Sequence, residues 1–508
     1  MGQSGNFPNI VMLFTKALLS RAAVWNILGK NRLALRDTYA AIKVAQRIQD
    51  DKLMADGFLQ LSDIYHSLNQ YKAMFETSTR AICFSRKIKD FQRIAAGYNK
   101  LALFYYSQNN YKKALEYHKK SWRINSRYRY IENLACNLHN IALVYDSLGE
   151  YKKALAFYKK SLRLQNNTQA LIGLGYTLNN IGTIYHALGK NSEALRYFKK
   201  SLQIRKKIGD NERIAESCIN IGVIFYTQGA YPTALRYFFQ AALIAKKVGT
   251  MREEAVAYNN IGSVYSILGN YRNAIVYFEK AKALRERIGN PNDLRGIHNN
   301  LGYLYTIQGN FNQALFHLQK ALTISERVKD LANLNIALIH LANLNLMLQN
   351  FKAALRFLKR AERSTKKIGK KEILMRVYFA YCELLFAQKK FTRIQYYFQQ
   401  ARRLALEISS PKDQGEILLL EARMLAQGTI DELKTVENKF KAAIKIFLSL
   451  KQKFEIAKSY YYYGEMLKEK KKLKDAQHYL IQAQRLFNKI GAGGWLIRTT
   501  ALLEQIGR

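Results

Sequence analysis

The chain has 508 residues, of which 49% are hydrophobic and 12% aromatic, and this richness in large apolar side chains excludes an intrinsically disordered protein. Only four prolines occur, which excludes a proline-rich linker and favours long uninterrupted helices. Lysine and arginine number 81 against 37 aspartates and glutamates, so the formal net charge is +44, and a field of this size attracts polyanions.

The cysteines and the N-terminus indicate a reducing, aqueous environment. The four cysteines are too far apart to form a CxxC pair, so we predict free thiols and neither a disulfide framework nor a zinc site: they are Cys83, Cys136, Cys218 and Cys382. Lys16 interrupts the apolar stretch 10–19, and we expect no apolar run that approaches the roughly 20 residues that span a membrane. We therefore predict a cytoplasmic protein without membrane insertion.

A repeat of 40 residues organises most of the chain. After an N-terminal tail over residues 1–11, ten units keep strict register over residues 12–410. A turn signature marks the register: Leu28-Gly29, Leu68-Asn69, Leu148-Gly149, Leu188-Gly189, Gln228-Gly229, Leu268-Gly269 and Gln308-Gly309. Because fixed-period self-similarity is the mark of a repeat architecture, length is no guide to the number of domains here.

Each unit contains two patterns of helical spacing. In the first pattern an apolar residue is followed by a small residue and, three positions after the small one, by an aromatic residue, as in Ile221-Gly222 with Phe225. The second places small residues seven positions apart with an aromatic between them, as in Ala234, Phe238 and Ala241. The spacing predicts a helix of about thirteen residues, a short turn and a helix of about seventeen, packed antiparallel.

The C-terminal part is less regular. Two further units occupy residues 411–492, and the first of them gains about two residues near Gly428-Thr429-Ile430. After the glycine-rich stretch 491–494, which we interpret as a helix cap, residues 493–508 are predicted to form a capping helix. No phosphate-binding loop, GxSxG elbow or HExxH motif occurs, and we predict neither enzymatic activity nor a cofactor nor a metal site.

The two patterns resemble the tetratricopeptide repeat over nearly the whole chain. The period of 40 in place of 34 and the missing proline depart from the family, and the long repeats are similar to those of Pins/LGN-type scaffolds and bacterial regulatory proteins. The resemblance implies an all-α, right-handed α-solenoid superhelix of about twelve antiparallel helix pairs, with first helices on the concave wall. It further implies a scaffold or adaptor that binds a peptide segment of a partner protein there.

Asparagine columns are the main candidates for contacts in that groove. A carboxamide can satisfy both the C=O and the N–H of an extended peptide. For the column that contains Asn259, ligand contact and structural bonding both remain open, whereas the next column, which contains Asn260, favours bonding between helices. The predicted groove residues are Asn99, His139, Asn179, His186, Tyr226, Asn259, Ser266, Asn299, Tyr303 and Thr306.

The lysines of the second helices support an alternative function. They alternate with the apolar stripe and should point outward, where they form either a solvated face or a binding surface for a polyanion such as nucleic acid or an acidic partner. The residues concerned are Lys152, Lys153, Lys159, Lys160, Lys199, Lys200, Lys206 and Lys207. Phosphate contacts alone would give steep salt dependence and little sequence preference.

Overall fold

The computed structural model describes residues 7–168, 170–408, 410–427 and 433–507, and within these ranges every regular element is helical. The chain forms two compact units, residues 1–210 and residues 211–508. The helices alternate as antiparallel pairs, twelve in the described ranges, followed by one further helix. The predicted all-α stack of helix pairs is therefore confirmed in each unit.

Unit 1 contains ten helices in five pairs. Their bounds are α1 Phe7–Ile27, α2 Asn31–Arg47, α3 Asp51–Ser67, α4 Tyr71–Lys87, α5 Phe91–Ser107, α6 Tyr111–Arg127, α7 Ile131–Ser147, α8 Tyr151–Thr168, α9 Leu171–Ala187 and α10 Asn191–Ile208. Helix α1 begins at Phe7, so part of the segment predicted as a tail is helical.

Unit 2 contains the remaining fifteen α-helices and a short 3-10 turn, Pro291–Leu294, before α15. The bounds are α11 Asn211–Thr227, α12 Tyr231–Val248, α13 Met251–Ile267, α14 Tyr271–Ile288, α15 Arg295–Gln308, α16 Phe311–Arg327, α17 Leu331–Met347, α18 Phe351–Ile368, α19 Lys371–Ala387, α20 Phe391–Ile408, α21 Pro411–Leu425, α22 Leu433–Ser449, α23 Lys453–Glu469, α24 Leu473–Ile490 and α25 Gly493–Gly507. The predicted insertion at Gly428-Thr429-Ile430 lies outside the described residues.

Helix length follows from a left-handed residue that recurs every 20 positions. Asn69 has φ 57°, Gly189 φ 74° and Gly209 φ 72°, and each stands immediately after a helix or its C-terminal cap. A residue in this conformation ends an α-helix. First and second helices therefore have nearly equal lengths, as α9 with 17 and α10 with 18 residues show, and the predicted thirteen-residue first helix was too short.

The small residues of the repeat permit close approach within each pair. A Cβ atom on Gly222 would lie 2.5 Å from the ring of Phe238, so only glycine accommodates this ring. Ala234 and Ala241 are fully buried on the same helix as Phe238. In α6 the hydroxyl of Ser121 donates to a carbonyl oxygen of α5 at 2.7 Å. The pairs are thus packed by matched large and small side chains.

Helix α1 differs from the expectation drawn from its sequence. Its segment Asn9–Ile27 is long and apolar enough, by length and composition, to cross a membrane, although Lys16 lies within it, so the prediction that no such run exists was wrong. Little of the segment is buried. Arg21 nevertheless joins α1 to α2 through a 2.6 Å ion pair with the buried Asp37.

Unit 2 is closed by contacts between helices that are far apart in the sequence, and no repeat pattern predicts this closure. Helix α25 packs against α24, and it also packs against α15. At this second contact Gly494 lies directly against Gly309. Nearby, Tyr271 at the start of α14 packs edge-on against Phe454 of α23, with ring centroids 6.2 Å apart. Helices α14 and α15 thus share one apolar core with α23 to α25.

Candidate functional site

The closure of unit 2 forms a partly open cavity of about 520 Å³, which we call the inner cavity. Its wall consists chiefly of first helices, α15, α17, α19, α21, α23 and α25. One repeat column contributes a residue from each of four successive pairs: Tyr303, Asn343, Glu383 and Arg423. The column faces inward because a 40-residue period returns each side chain to the same side of its first helix.

Glu383 accepts hydrogen bonds from three side chains of two other helices. Arg423 donates to its Oε1 at 2.8 Å, Lys458 donates to the same oxygen at 3.3 Å, and Tyr462 donates to Oε2 at 3.2 Å. Burial alone would raise the pKa of Glu383, but Arg423 and Lys458 outweigh it and lower the pKa to about 2. Glu383 is therefore ionised and satisfied by these partners, and it joins α19, α21 and α23.

Other charges in the cavity wall are less fully paired. Lys412 lies 3.5 Å from Glu416 and 4.0 Å from Glu455, and burial raises the pKa of Glu455. Arg376 of α19 and Arg498 of α25 have no carboxylate within ion-pair distance in the described ranges. These two guanidinium groups give the cavity the capacity to bind an anionic group.

A histidine and several aromatic rings complete the wall. Burial, reinforced by the charge of Arg376, lowers the pKa of His340 to about 3, so its imidazole is neutral. Its Nδ1 atom is buried and has no hydrogen-bond partner among the described residues. The ring of Trp495 lies edge-on to Phe454 at 6.0 Å and to Tyr462 at 5.9 Å. The cavity thus combines apolar rings with unused hydrogen-bonding capacity, as ligand sites do.

The residues predicted for the groove of unit 2 are distributed over three environments. Tyr303 and Thr306 line the inner cavity, although the Thr306 hydroxyl donates to the carbonyl of its own helix. Asn259, Ser266 and Tyr226 are partly exposed and lie outside the cavity wall, with burial raising the pKa of Tyr226.

Asn299 requires a correction. It is buried, and its amide donates to the backbone carbonyl of Asn333 on α17 at 3.1 Å. Its side chain therefore joins adjacent first helices and is not open to a groove. The structural alternative for this asparagine agrees with its position.

In unit 1 the predicted groove residues mainly join one helix to another. Asn99 accepts a hydrogen bond from Asn140 of the next pair at 3.3 Å. His139 bonds through Nδ1 to Thr177 at 2.9 Å, and burial lowers its pKa to about 4. His186 bonds through Nδ1 to Asn191 of α10, the second helix of its own pair, at 3.0 Å. Asn179 is buried.

The predicted lysine surface lies on α8 and α10 of unit 1, and all eight side chains are exposed. Lys153 pairs with Glu150, the residue that precedes α8. The other seven lysines have no carboxylate partner among the described residues. The surface is therefore a field of largely uncompensated positive charge.

Several residues of the inner cavity escaped the sequence interpretation. Glu383 and Arg423 lie two and three repeat periods of 40 residues after Tyr303, in the same column. The repeat pattern therefore contained the signal that could have identified them. Lys458, Tyr462 and Trp495 belong to the irregular C-terminal part, and they reach the cavity only because unit 2 closes. No local pattern signals that closure.

Comparisons with known proteins agree with this architecture. A sequence model of the tetratricopeptide repeat matches residues 93–167, 174–247, 253–327 and 293–367, which together make up more than half of the chain. No curated protein matches the sequence.

Solved structures with a similar fold have low sequence identity. A signal transduction ATPase with a tetratricopeptide repeat sensor from Pyrococcus horikoshii is 18% identical, with TM-score 0.53, over 71% of this chain and 55% of that one. Aspartyl phosphate phosphatase F from Bacillus subtilis is 16% identical, with TM-score 0.47, over 69% of this chain and 93% of that one. A Rap protein complexed with competence and sporulation factor is 15% identical, with TM-score 0.47, over 70% and 99%.

Proposed function

Because the chain belongs to the tetratricopeptide-repeat family, we propose that it is a non-catalytic scaffold whose inner cavity holds a segment of a partner protein. Proteins of this fold present extended concave surfaces for binding. The observation that carries the proposal is the wall of the cavity, where the orphaned His340 Nδ1 and the free Arg376 lie beside aromatic rings. A volume of about 520 Å³ also falls within the range of about 300–1,000 Å³ typical of ligand sites.

The wall specifies the chemistry of the segment. A carboxylate, from a side chain or a chain terminus, would pair with Arg376 or Arg498, and a donor group would satisfy His340 Nδ1. Apolar side chains of the segment would pack on Trp495 and Phe454. Glu383 already has three partners, so we assign it to the support of the wall rather than to ligand contact.

Photocrosslinking tests this proposal. A photoreactive phenylalanine analogue replaces Asn343 in the cavity wall, and in a control it replaces the exposed Gln399 of α20. In native lysate treated with nuclease, we expect a defined protein to crosslink at position 343 only. The substitution Arg376→Leu, combined with the crosslinker at 343, should remove that product. Equal labelling from both positions, or a product that survives Arg376→Leu, would contradict cavity binding.

The lysine surface of α8 and α10 supports a second candidate function, which is polyanion binding. Seven exposed lysines without carboxylate partners form the specific observation. Binding of a duplex DNA probe should fall steeply with salt, with a slope set by the number of phosphate contacts. Charge reversal at Lys159, Lys160, Lys199 and Lys200 should flatten that slope, whereas Arg376→Leu should leave it unchanged. An unchanged slope after charge reversal would exclude this surface.

A further inference from the structure

The outer face of α18 carries an uninterrupted row of positive charge, which we call the cation row: Lys352, Arg356, Lys359, Arg363 and Lys367. The spacing of four, three, four and four residues puts all five on one side of the helix. All are exposed, and none has a carboxylate within ion-pair distance in the part of the chain that the structure describes. Two neighbouring cations of α18 are paired, Arg360 with Glu326 of α16 and Lys366 with Glu362 of α18 itself.

The cation row borders an open cleft of about 730 Å³. Its lining contains no acidic residue, and besides the cations it includes Leu331, Leu355 and Ser364. Leu331 is 37% exposed and Leu355 partly so, which gives the cleft an apolar floor. The hydroxyl oxygen of Ser364 is buried there and has no hydrogen-bond partner among the described residues.

This arrangement differs from an ordinary solvated helix face. Soluble surfaces usually intersperse charges of both signs, and like charges three or four residues apart destabilise a helix. The cation row retains such repulsion along its whole length, because neither Glu326 nor Glu362 lies within ion-pair distance of any of its five members. An anionic partner would remove the repulsion.

From the spacing and the apolar floor, we propose that the cleft binds an acidic amphipathic helix of a partner protein. The row spans about 22 Å at 1.5 Å per residue. A second helix with carboxylates at the same three- and four-residue spacing can place one opposite each cation, and its apolar side chains can cover Leu331 and Leu355. A nucleic-acid backbone offers the negative charge but nothing apolar for the two leucines.

The acidic helix comes from another protein. The chain has 37 acidic residues against 81 basic ones, so a second copy would bring more repulsion than attraction. The cleft is also separate from the inner cavity, because α18 is a second helix and the cavity wall consists chiefly of first helices. The proposal therefore stands or falls independently of partner binding in the cavity.

Fluorescence anisotropy with a defined probe tests the proposal. The probe is a stapled 18-residue helical peptide with glutamates at the spacing of the cation row and leucines on the adjacent face. A peptide of the same composition in scrambled order is the matched control. We expect the patterned peptide to bind the full chain at least about tenfold more tightly than the scrambled one, because only the former aligns its charges with the row.

Charge-reversal variants locate the binding. Arg356→Glu/Arg363→Glu should weaken binding of the patterned peptide about tenfold or more. Lys112→Glu/Lys119→Glu, at two exposed positions of α6 in unit 1, changes the net charge equally and should change the affinity less than about twofold. Leu331→Gln, at an exposed position, should also weaken binding. Circular dichroism of each variant verifies that the helices are retained.

Three results would overturn the proposal. The first is failure of the patterned peptide to bind the wild-type chain. The second is equal affinity for the patterned and scrambled peptides, or equal weakening by the two charge-reversal pairs, because either would indicate attraction to net charge alone. The third is a duplex DNA probe that displaces the peptide, binds Arg356→Glu/Arg363→Glu more weakly than the wild type and binds Leu331→Gln with unchanged affinity. That result would show that the cleft binds phosphates.

Discussion

The guanidinium of Arg423 lies 3.6 Å from the ring centroid of Tyr462, and so stacks on a residue of the neighbouring first helix. The same group lies 4.2 Å from the ring centroid of Phe386 on its other neighbour. Only 11% of the Arg423 side chain is exposed. Because water is largely excluded, both cation–π contacts and the bond to Glu383 are stronger than they would be on the surface.

Replacement of this arginine should destabilise unit 2. In Arg423→Met, Glu383 loses its closest hydrogen-bond donor while Lys458 and Tyr462 remain. We therefore expect the free energy of unfolding to fall by about 3 kcal/mol, the lower end of the range for a broken buried ion pair. Urea unfolding followed by tryptophan fluorescence measures the change. Arg402→Met, at an exposed position of α20, should cost less than about 0.5 kcal/mol. If both variants unfold at the same urea concentration, the network contributes no stability.

The closure of unit 2 depends on small residues at the contact between α15 and α25. A Cβ atom on Gly493 would lie 2.5 Å from the backbone carbonyl oxygen of Gln308. Since a backbone oxygen cannot move aside, Gly493→Ala should displace α25 from α15, and we expect faster amide hydrogen exchange in both helices.

A second glycine provides the control for this experiment. A Cβ atom on Gly296, at the start of α15, would have its nearest neighbour at 3.9 Å. Gly296→Ala should therefore leave exchange unchanged or slow it, since alanine favours the helix by about 1 kcal/mol. Unchanged exchange in α25 of Gly493→Ala would show that the contact tolerates the methyl group.

Two buried histidines should make stability depend on pH. The Nδ1 atoms of His298 and His317 lie 2.8 Å apart, and burial, together with Lys282, lowers the pKa of each to about 4. Between the unfolded value of about 6.5 and pH 4, the unfolded chain binds protons that the folded chain excludes, so stability falls as the pH falls. At pH 5 the free energy of unfolding should be lower than at neutral pH by about 2 kcal/mol for each histidine.

Unfolding midpoints in urea at pH 7.5 and pH 5.0 measure this effect. In the double variant His298→Leu/His317→Phe, whose phenylalanine can keep the stacking on Tyr305, the difference between the two midpoints should be smaller. It should not vanish, because burial also lowers the pKa of His118 to about 3 and that of His139 to about 4. A difference equal to that of the wild type would show that the pair is not the source.

Most of the fold follows from the sequence because its contacts are local. Gly182, Gly222 and Gly262 occupy one column of the repeat, and each of these glycines meets the ring of the phenylalanine sixteen positions later. Such pairs recur with the period and need no knowledge of distant residues. The length of the first helix was underestimated because Lys89 and Arg129 end the second helices α4 and α6 without being glycine. The sequence therefore did not signal that the next first helices, α5 and α7, begin two residues later.

The candidate site was only partly predictable. Tyr303 and Thr306 were among the predicted groove residues, and Glu383 and Arg423 lie in the same repeat column as Tyr303. Whether a residue of a repeat column contacts a ligand or a neighbouring helix depends on how closely successive first helices pack. Asn299 is an example, because its hydrogen bond to Asn333 joins two first helices. The approach of Trp495 to the cavity is a long-range contact without a local signature.

The contact between Gly309 and Gly494 changes how unit 2 should lose its structure. In an open stack each repeat is stabilised by its nearest neighbours alone, so the terminal repeats fray first. Closure gives the C-terminal helices a second set of neighbours far away in the sequence. The part of unit 2 between these two glycines therefore has no free end from which to unravel, and it should open as one cooperative block.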